Sequence, residues 1–334
     1  MQVWQPVWIM EWSMKPLTRI GVLVAAGLLM LSPSAPAQQA APVAPAAPPI
    51  VTFKSSVDLV RVSAVVRNRK GRFVNDMSVR DFEVLDGGEN RRISEFRHDD
   101  SGVSIALLFD VSGSMESRMP NAREAAEHIL SWLTAAGDEA AVFTFDTLLE
   151  EVTAFTPGLQ RLPAALESLK PFGATSLHDA IAATAQRTAK REGLRRAVVV
   201  LTDGTDTSSR LTPEEVSGIA SSIDVPVYII GIVPSIDNPA SDLSTTTVER
   251  SALTSSLGDL AYWTGGRSFV ASTIVERSLT ARQIVDELRH QYLIAFESSG
   301  KPGWHPLVVR TKDKDLTVRT RSGYFTGQSR PISD

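Results

Sequence analysis

An α/β fold is what this 334-residue sequence predicts: a doubly wound, mostly parallel Rossmann-like sheet joined to a small β-unit built from N- and C-terminal strands. Three observations carry that expectation. Short, continuous apolar runs at residues 103–109, 197–201 and 225–233 have the composition of strands buried on both faces of a parallel sheet. Segments with helical spacing alternate with them, as helices covering both faces of such a sheet require. Strand-like runs with no helix between them return after residue 291, matching others before residue 100.

The elements follow in order. Residues 57–66 alternate, with Val60, Val62, Ala64 and Val66 on one face, and read as a half-buried strand. Asn68-Arg69-Lys70-Gly71 is a turn. Residues 81–85, ending at Asp86-Gly87-Gly88, and residues 92–96 give two more strands. After the strand at 103–109, helices are expected at 120–133, 159–169 and 177–190, with strands at 140–145 and 152–155. Thr212-Pro213-Glu214-Glu215 is a helix start, with a Thr cap, Pro at the first helical position and Glu at the third. Residues 249–264 and 275–290 read as the last helices, around a strand at 268–271. Residues 292–296, 307–311 and 316–321 read as closing strands, before Gly323-Tyr324-Phe325. Residues 234–247 are polar and aperiodic, a loop.

The N-terminus reads as an address. A basic stretch, Met14-Lys15-Pro16-Leu17-Thr18-Arg19, precedes an apolar run over residues 20–31 and then Ala35-Pro36-Ala37, the order of a secretory signal peptide cleaved after Ala37. A membrane anchor is the alternative, but the run of twelve residues falls short of the ~20 that span a bilayer. Met14 is a candidate start, because the residues before it carry no export logic. The expected organisation is a signal peptide (1–37), an Ala/Pro-rich linker (38–52), an N-terminal β-segment (53–100), the α/β domain (103–290) and C-terminal strands (291–327) that pair with the N-terminal segment. Each β-segment alone offers about three strands, too few for independent stability. The mature chain is expected to have no membrane span and to be periplasmic or secreted.

Composition excludes several chemistries. The chain has no cysteine, which removes disulfides, zinc–thiolate sites, iron–sulfur clusters and thiol catalysis. Its net charge of −4 argues against nucleic acid as a partner. There is no G-x-x-x-x-G-K loop, no H-E-x-x-H and no G-x-S-x-G. A phosphotransferase of the haloacid-dehalogenase kind would carry a second Asp where Ser112 stands.

The first buried strand runs into Asp110-Val111-Ser112-Gly113-Ser114, which places a carboxylate and two hydroxyls near one point. Oxygen donors without His or Cys suit Mg²⁺, Mn²⁺ or Ca²⁺. Taken alone, this turn equally reads as a helix cap. The strand at 197–201 brings Thr202-Asp203-Gly204 to a second strand end, and carboxyl ends of strands at a switch point form the ligand crevice of open α/β sheets. Thr175, in Gly173-Ala174-Thr175-Ser176, offers another oxygen, and Ser176 with Asp179 reads as a capping box.

At these residues the chain resembles the von Willebrand factor type A domain and its metal-ion-dependent adhesion site. That pattern is Asp-x-Ser-x-Ser, a Thr on a second loop and an Asp on a third. Asp110, Ser112, Ser114, Thr175 and Asp203 match all five positions. The resemblance covers roughly residues 103–290. The flanks, with Asn68-x-x-Gly71-Arg72-Phe73-Val74, Val79-x-Asp81-Phe82 and the tail from Glu287-Leu288-Arg289 to Gly323-Tyr324-Phe325, resemble an exported bacterial group carrying this domain. His178 departs from it, standing where an aromatic Tyr is expected. The resemblance implies that Ser112, Ser114 and Thr175 approach the metal directly or nearly so, and that Asp110 and Asp203 act partly through water. The free coordination position would take a partner's Asp or Glu carboxylate, which is recognition without turnover. An assembly subunit of an ATPase-dependent complex and a metal-dependent hydrolase are the alternatives.

Of the remaining residues, His178 reads as a helix-surface histidine, and Asp206, Ser208 and Ser209 as a polar loop before the Thr212 cap. Trp263 and Trp304 read as packing anchors. Arg195-Arg196 reads as a solvated pair.

Overall fold

The computed structural model describes residues 59–98, 101–191, 195–204, 206–233 and 256–326. The expected signal peptide, the Ala/Pro-rich linker and the loop at 234–247 lie outside these residues. In chain order the strands and helices are β1 (Leu59–Arg67), β2 (Phe82–Asp86), β3 (Glu89–Arg91), β4 (Ile93–Arg97), β5 (Val103–Asp110), α1 (Met119–Trp132), β6 (Glu139–Phe145), β7 (Leu149–Pro157), α2 (Leu177–Ala189), β8 (Arg195–Thr202), α3 (Pro213–Ser222), β9 (Val227–Ile232), α4 (Ser256–Trp263), β10 (Ser268–Ala271), α5 (Ile274–Arg289), β11 (Gln291–Glu297), β12 (Gly303–Thr311), β13 (Thr317–Arg319) and β14 (Gly323–Thr326).

The central sheet has the order β10-β9-β8-β5-β6-β7, parallel throughout except for the edge strand β7. Every residue of β5 is buried, because both faces of the strand are covered. Val103, Ile105, Leu107 and Phe109 pack with α1 and α5, whereas Ala106 and Leu108 pack with α2, α3 and α4. The two-residue period of a strand thus distributes one apolar run between two helical layers. From β5 the chain builds β6 and β7 on one side and then crosses to β8 on the other. The switch point therefore lies at β5, the strand that ends in Asp110.

One expected helix is absent. Residues 159–169 form only a short 3-10 turn, Ala164–Leu166. Pro163 sits in the middle of that stretch, where it lacks an N–H and disfavours helical backbone at Leu162. The apolar spacing still does its packing work, since Leu166 is buried and Leu159, Leu162 and Leu169 lie against the same core. The Thr212 capping box forms as expected, and Thr273 builds a second one at the start of α5.

The strands flanking this layered domain make two further sheets, β13-β1-β11-β4 and β14-β12-β2-β3. Each sheet combines strands from both ends of the chain. β1 runs antiparallel to β11 from Leu59 opposite Glu297 to Val65 opposite Gln291, and β2 pairs with β12. Val60, Val62, Ala64 and Val66, with their sheet neighbours Ile294 and Phe296, share a core with Val84 and Val309 of the other sheet, so the two sheets form a sandwich; Phe82, Phe96 and Tyr292 cluster with ring centroids 5.2–5.6 Å apart.

Buried charge ties the sandwich to the α/β domain. Arg195 is buried, not solvated: its Nη1 donates to the Ser101 carbonyl at 2.8 Å and its Nη2 to the Gln291 carbonyl at 3.4 Å. It opens β8, and its long side chain bridges the residues just before β5 to the start of β11. Gly102 lies at the first crossing, where an added Cβ would overlap the carbonyl group of Gly137. Backbone meets backbone there and neither side can yield cheaply. Gly102→Ala is expected to lower stability by about 3 kcal/mol, read from a urea unfolding curve. No helix among the described residues is long and apolar enough to cross a membrane.

Candidate metal centre

Parallel pairing of β5 and β8 sets Phe109 opposite Leu201, so the next residues, Asp110 and Thr202, end their strands side by side. The Asp110 carboxylate is fully buried. Its Oδ1 accepts the Ser112 N–H at 3.0 Å and its Oδ2 accepts the Thr202 hydroxyl at 2.7 Å. Burial pushes the Asp110 carboxyl above its usual range; hydrogen bonds from Ser112 and Thr202 oppose that shift, and the charge of Asp203 adds to it. After Ser112 the chain makes a tight 3-10 turn, Gly113–Met115, which brings the Ser112 and Ser114 hydroxyl oxygens to 3.2 Å. Asp203 follows β8 with its side chain only 5% exposed. Its Oδ2 accepts from Arg118 Nη1 at 2.5 Å, and the same nitrogen donates to the Ser114 carbonyl at 3.2 Å. One guanidinium therefore laces the first loop to the third.

The second loop is stitched to the first through backbone. Phe172 N–H donates to the Val111 carbonyl (2.9 Å), and Gly113 N–H to the Gly173 carbonyl (3.2 Å). Gly173 takes φ 91°, left-handed backbone that glycine adopts without steric cost. Thr175 is buried; its N–H donates to Thr207 Oγ1 at 2.9 Å, and its carbonyl accepts the N–H groups of Thr207 and Ser208. Asp110, Ser112, Ser114 and Asp203 are thus joined by side-chain contacts or by Arg118. Thr175 stands on the loop hydrogen-bonded to theirs.

Two local expectations are corrected here. Ser176 and Asp179 do not form a capping box. Ser209 Oγ accepts the N–H groups of His178 (2.9 Å) and Asp179 (3.3 Å), while the Asp179 carboxylate accepts from Arg210 and Leu211 N–H. A loop from elsewhere in the chain caps α2, which frees Asp179 to anchor that loop in return. His178 is buried, not a surface residue, with Nδ1 2.5 Å from Asp206 Oδ2. Asp206 through Ser209 do more than lead into the Thr212 cap, because they clamp the Thr175 loop. Trp304 is 42% exposed and packs on Phe325.

Thr202, Arg118 and Thr207 are the members that sequence reasoning missed. Thr202 had a signal, since a hydroxyl ending a buried strand beside Asp203 must find a partner. Arg118 and Thr207 had none.

The residues fit a hard divalent cation. The donors are carboxylates and hydroxyls, and no cluster of three or more His, Asp or Glu side chains gathers among the described residues. That is a weakly anionic oxygen set. A desolvated Asp110 carboxylate close enough to feel the Asp203 charge is the electrostatic condition that a cation relieves.

Comparison with known proteins gives a family match for part of the chain. Residues 105–205 match the von Willebrand factor type A domain model. No curated protein matches the chain. Among solved structures, an aerotolerance-related membrane protein from Bacteroides fragilis is similar at 18% identity and a TM-score of 0.45, over 56% of this chain and 98% of that one. The conserved hypothetical protein BatB from Bacteroides thetaiotaomicron gives 16% and 0.44 over the same shares. Proximal thread matrix protein 1 from the mussel byssus, described with a zinc-occupied MIDAS motif, gives 20% and 0.44 over 61% of this chain and 50% of that one. The matched residues lie in a mostly parallel sheet flanked by helices, a von Willebrand factor type A-like α/β fold.

Proposed function

We propose that this protein is an exported, non-enzymatic binding module that grips an Asp or Glu carboxylate of a protein partner through a divalent cation. Type A domains are in general protein-interaction modules, and residues 105–205 match that model. In this reading the domain spans residues 103–290, inserted into a β-unit made by residues 53–100 and 291–327. Asp110, Ser112, Ser114, Thr175 and Asp203 would hold the cation. Mg²⁺ is the first candidate, with Mn²⁺ or Ca²⁺ as alternatives. When bound, it supplies an electrophilic position open to a carboxylate. The observation that carries the reading is the buried Asp110 carboxylate, under paired Ser112 and Ser114 hydroxyls and within reach of the Asp203 charge.

The chain's own residues divide the work. Thr202 and the Ser112 N–H fix the Asp110 carboxylate, and the loop at 206–209 holds Thr175 and the start of α2. Ser112 and Ser114 contact each other, and His178 on the next loop is engaged by Asp206, so neither serine shows the base-activated pairing of a nucleophile.

Specificity needs more than one carboxylate. Phe172 is 82% exposed on the loop bonded to Val111, and Leu148 is 71% exposed on the loop whose Asp146 carbonyl accepts Ser176 N–H. Aromatic side chains such as Phe172 are enriched at protein interfaces relative to the rest of the surface. Affinity capture from envelope extracts, with and without EDTA, tests the proposal. Capture should be lost with EDTA and with Asp110→Ala. Phe172→Ser should weaken it by roughly tenfold or more while cation affinity stays unchanged. Capture indifferent to EDTA would count against the cation, and recovery of the protein in the cytoplasm with its N-terminus intact would count against export.

A further inference from the structure

Among the described residues, Arg118 is the cationic side chain that the site's own hydrogen bonds place among the proposed ligands. It occupies the cap position of α1, and its side chain folds back over the turn at Gly113–Met115. Nη1 donates to Asp203 Oδ2 and to the Ser114 carbonyl, and the side chain is only 24% exposed. Asp203 is more deeply covered, so this ion pair is shielded from water on the carboxylate side. A charge-assisted bond of that kind is stronger than a surface pair.

We infer that Arg118 is a built-in counter-cation of the site: it holds Asp203 in the metal-free protein and sets cation affinity low. The inference rests on the cation reading proposed above and adds its regulation. With Asp110 and Asp203 ionised, the two carboxylates contribute two negative charges, and Arg118 cancels one of them. A divalent cation then enters a site with half the countercharge and is repelled by a guanidinium within bonding distance of one ligand. A guanidinium and a divalent cation a few ångströms apart repel by a factor of about ten or more in affinity, even at the dielectric constant of water. The fixed positive charge also prepares the site for an anion. A carboxylate arriving at the cation meets Arg118 beside it, so occupancy by cation and by acidic partner reinforce each other. A cation held weakly by the protein alone is held more tightly in the ternary complex.

The test is calorimetric titration of Mn²⁺ into the full chain at low ionic strength, for wild type, Arg118→Gln, Arg118→Lys and Asp110→Asn. Arg118→Gln should bind Mn²⁺ about tenfold tighter than wild type, and Arg118→Lys should remain near wild type, because it keeps the charge. A gain in affinity cannot come from a damaged fold. Equal or weaker binding in Arg118→Gln, with binding still lost in Asp110→Asn, would overturn the role of Arg118 and leave the cation site standing. Binding indifferent to Asp110→Asn would overturn the cation site itself.

Discussion

Glu287→Gln is expected to cost about 3 kcal/mol of stability. Glu287 is fully buried in α5 and accepts from three arginines on three different elements or their approaches. Arg67 Nη2 lies 3.0 Å from Oε1 and Arg267 Nη1 3.1 Å from it, while Arg319 Nη2 bonds Oε2. Arg67 closes β1 and Arg319 closes β13, so one carboxylate fastens the last helix of the α/β domain to a sheet of the sandwich. The amide would keep the shape and remove the charge, leaving three guanidiniums around a group that can no longer balance them. Arg67 and Arg267 are 26% and 41% exposed and can rehydrate, which holds the cost to the lower end of the range for a broken buried pair. Urea unfolding, monitored by fluorescence, reads the change. A loss below about 1 kcal/mol would show that the cluster is a surface network with little net worth.

The second large effect runs through Asp110. Asp110→Asn should abolish stabilisation by Mg²⁺ while leaving the metal-free protein at least as stable as wild type at neutral pH. Burial raises the folded-state pKa of this carboxyl above its unfolded value, so the folded protein is penalised for carrying the charge. That penalty is absent below the ordinary carboxylate range and grows as pH rises through that range towards the raised value. An amide escapes it, so the variant's advantage should vanish in acid. In wild type, Mg²⁺ at a hundred times its dissociation constant should contribute about 2.7 kcal/mol, roughly 5 to 10 °C in Tm for a domain of this size. Thermal melts with Mg²⁺ and with EDTA, at neutral and acid pH, measure both parts. A Mg²⁺ shift retained by the Asp110→Asn variant would assign Asp110 a purely structural part.

What the sequence disclosed, and what it hid, follows from the range of each interaction. The buried strands were legible because full burial of residues such as Ile105, Leu107 and Val199 demands an apolar run that no loop requires. The spacing of Asp110, Ser112 and Ser114 was legible because one tight turn brings them together. The missing helix at 159–169 was hidden by a genuine apolar period, which Pro163 converts into an irregular segment packing the same leucines. Capping of α2 was misassigned because Ser209, some thirty residues away, competes better than the local Ser176. Arg195 and His178 were placed at the surface because a charged or titratable side chain is exposed by default; their partners, the Ser101 and Gln291 carbonyls and Asp206, are distant in sequence. Arg118 reaches Asp203 across 85 positions, a contact that no local pattern announces.

Titration of Mg²⁺ into the metal-free wild-type chain, followed by calorimetry beside Asp110→Asn and Asp203→Ala, decides whether these carboxylates hold a cation. A single site per chain is expected in wild type, no binding in Asp110→Asn, and strongly weakened binding in Asp203→Ala, with all three proteins folded by circular dichroism. An unchanged isotherm in Asp110→Asn, or no Mg²⁺, Mn²⁺ or Ca²⁺ bound by folded wild-type protein, would contradict this expectation.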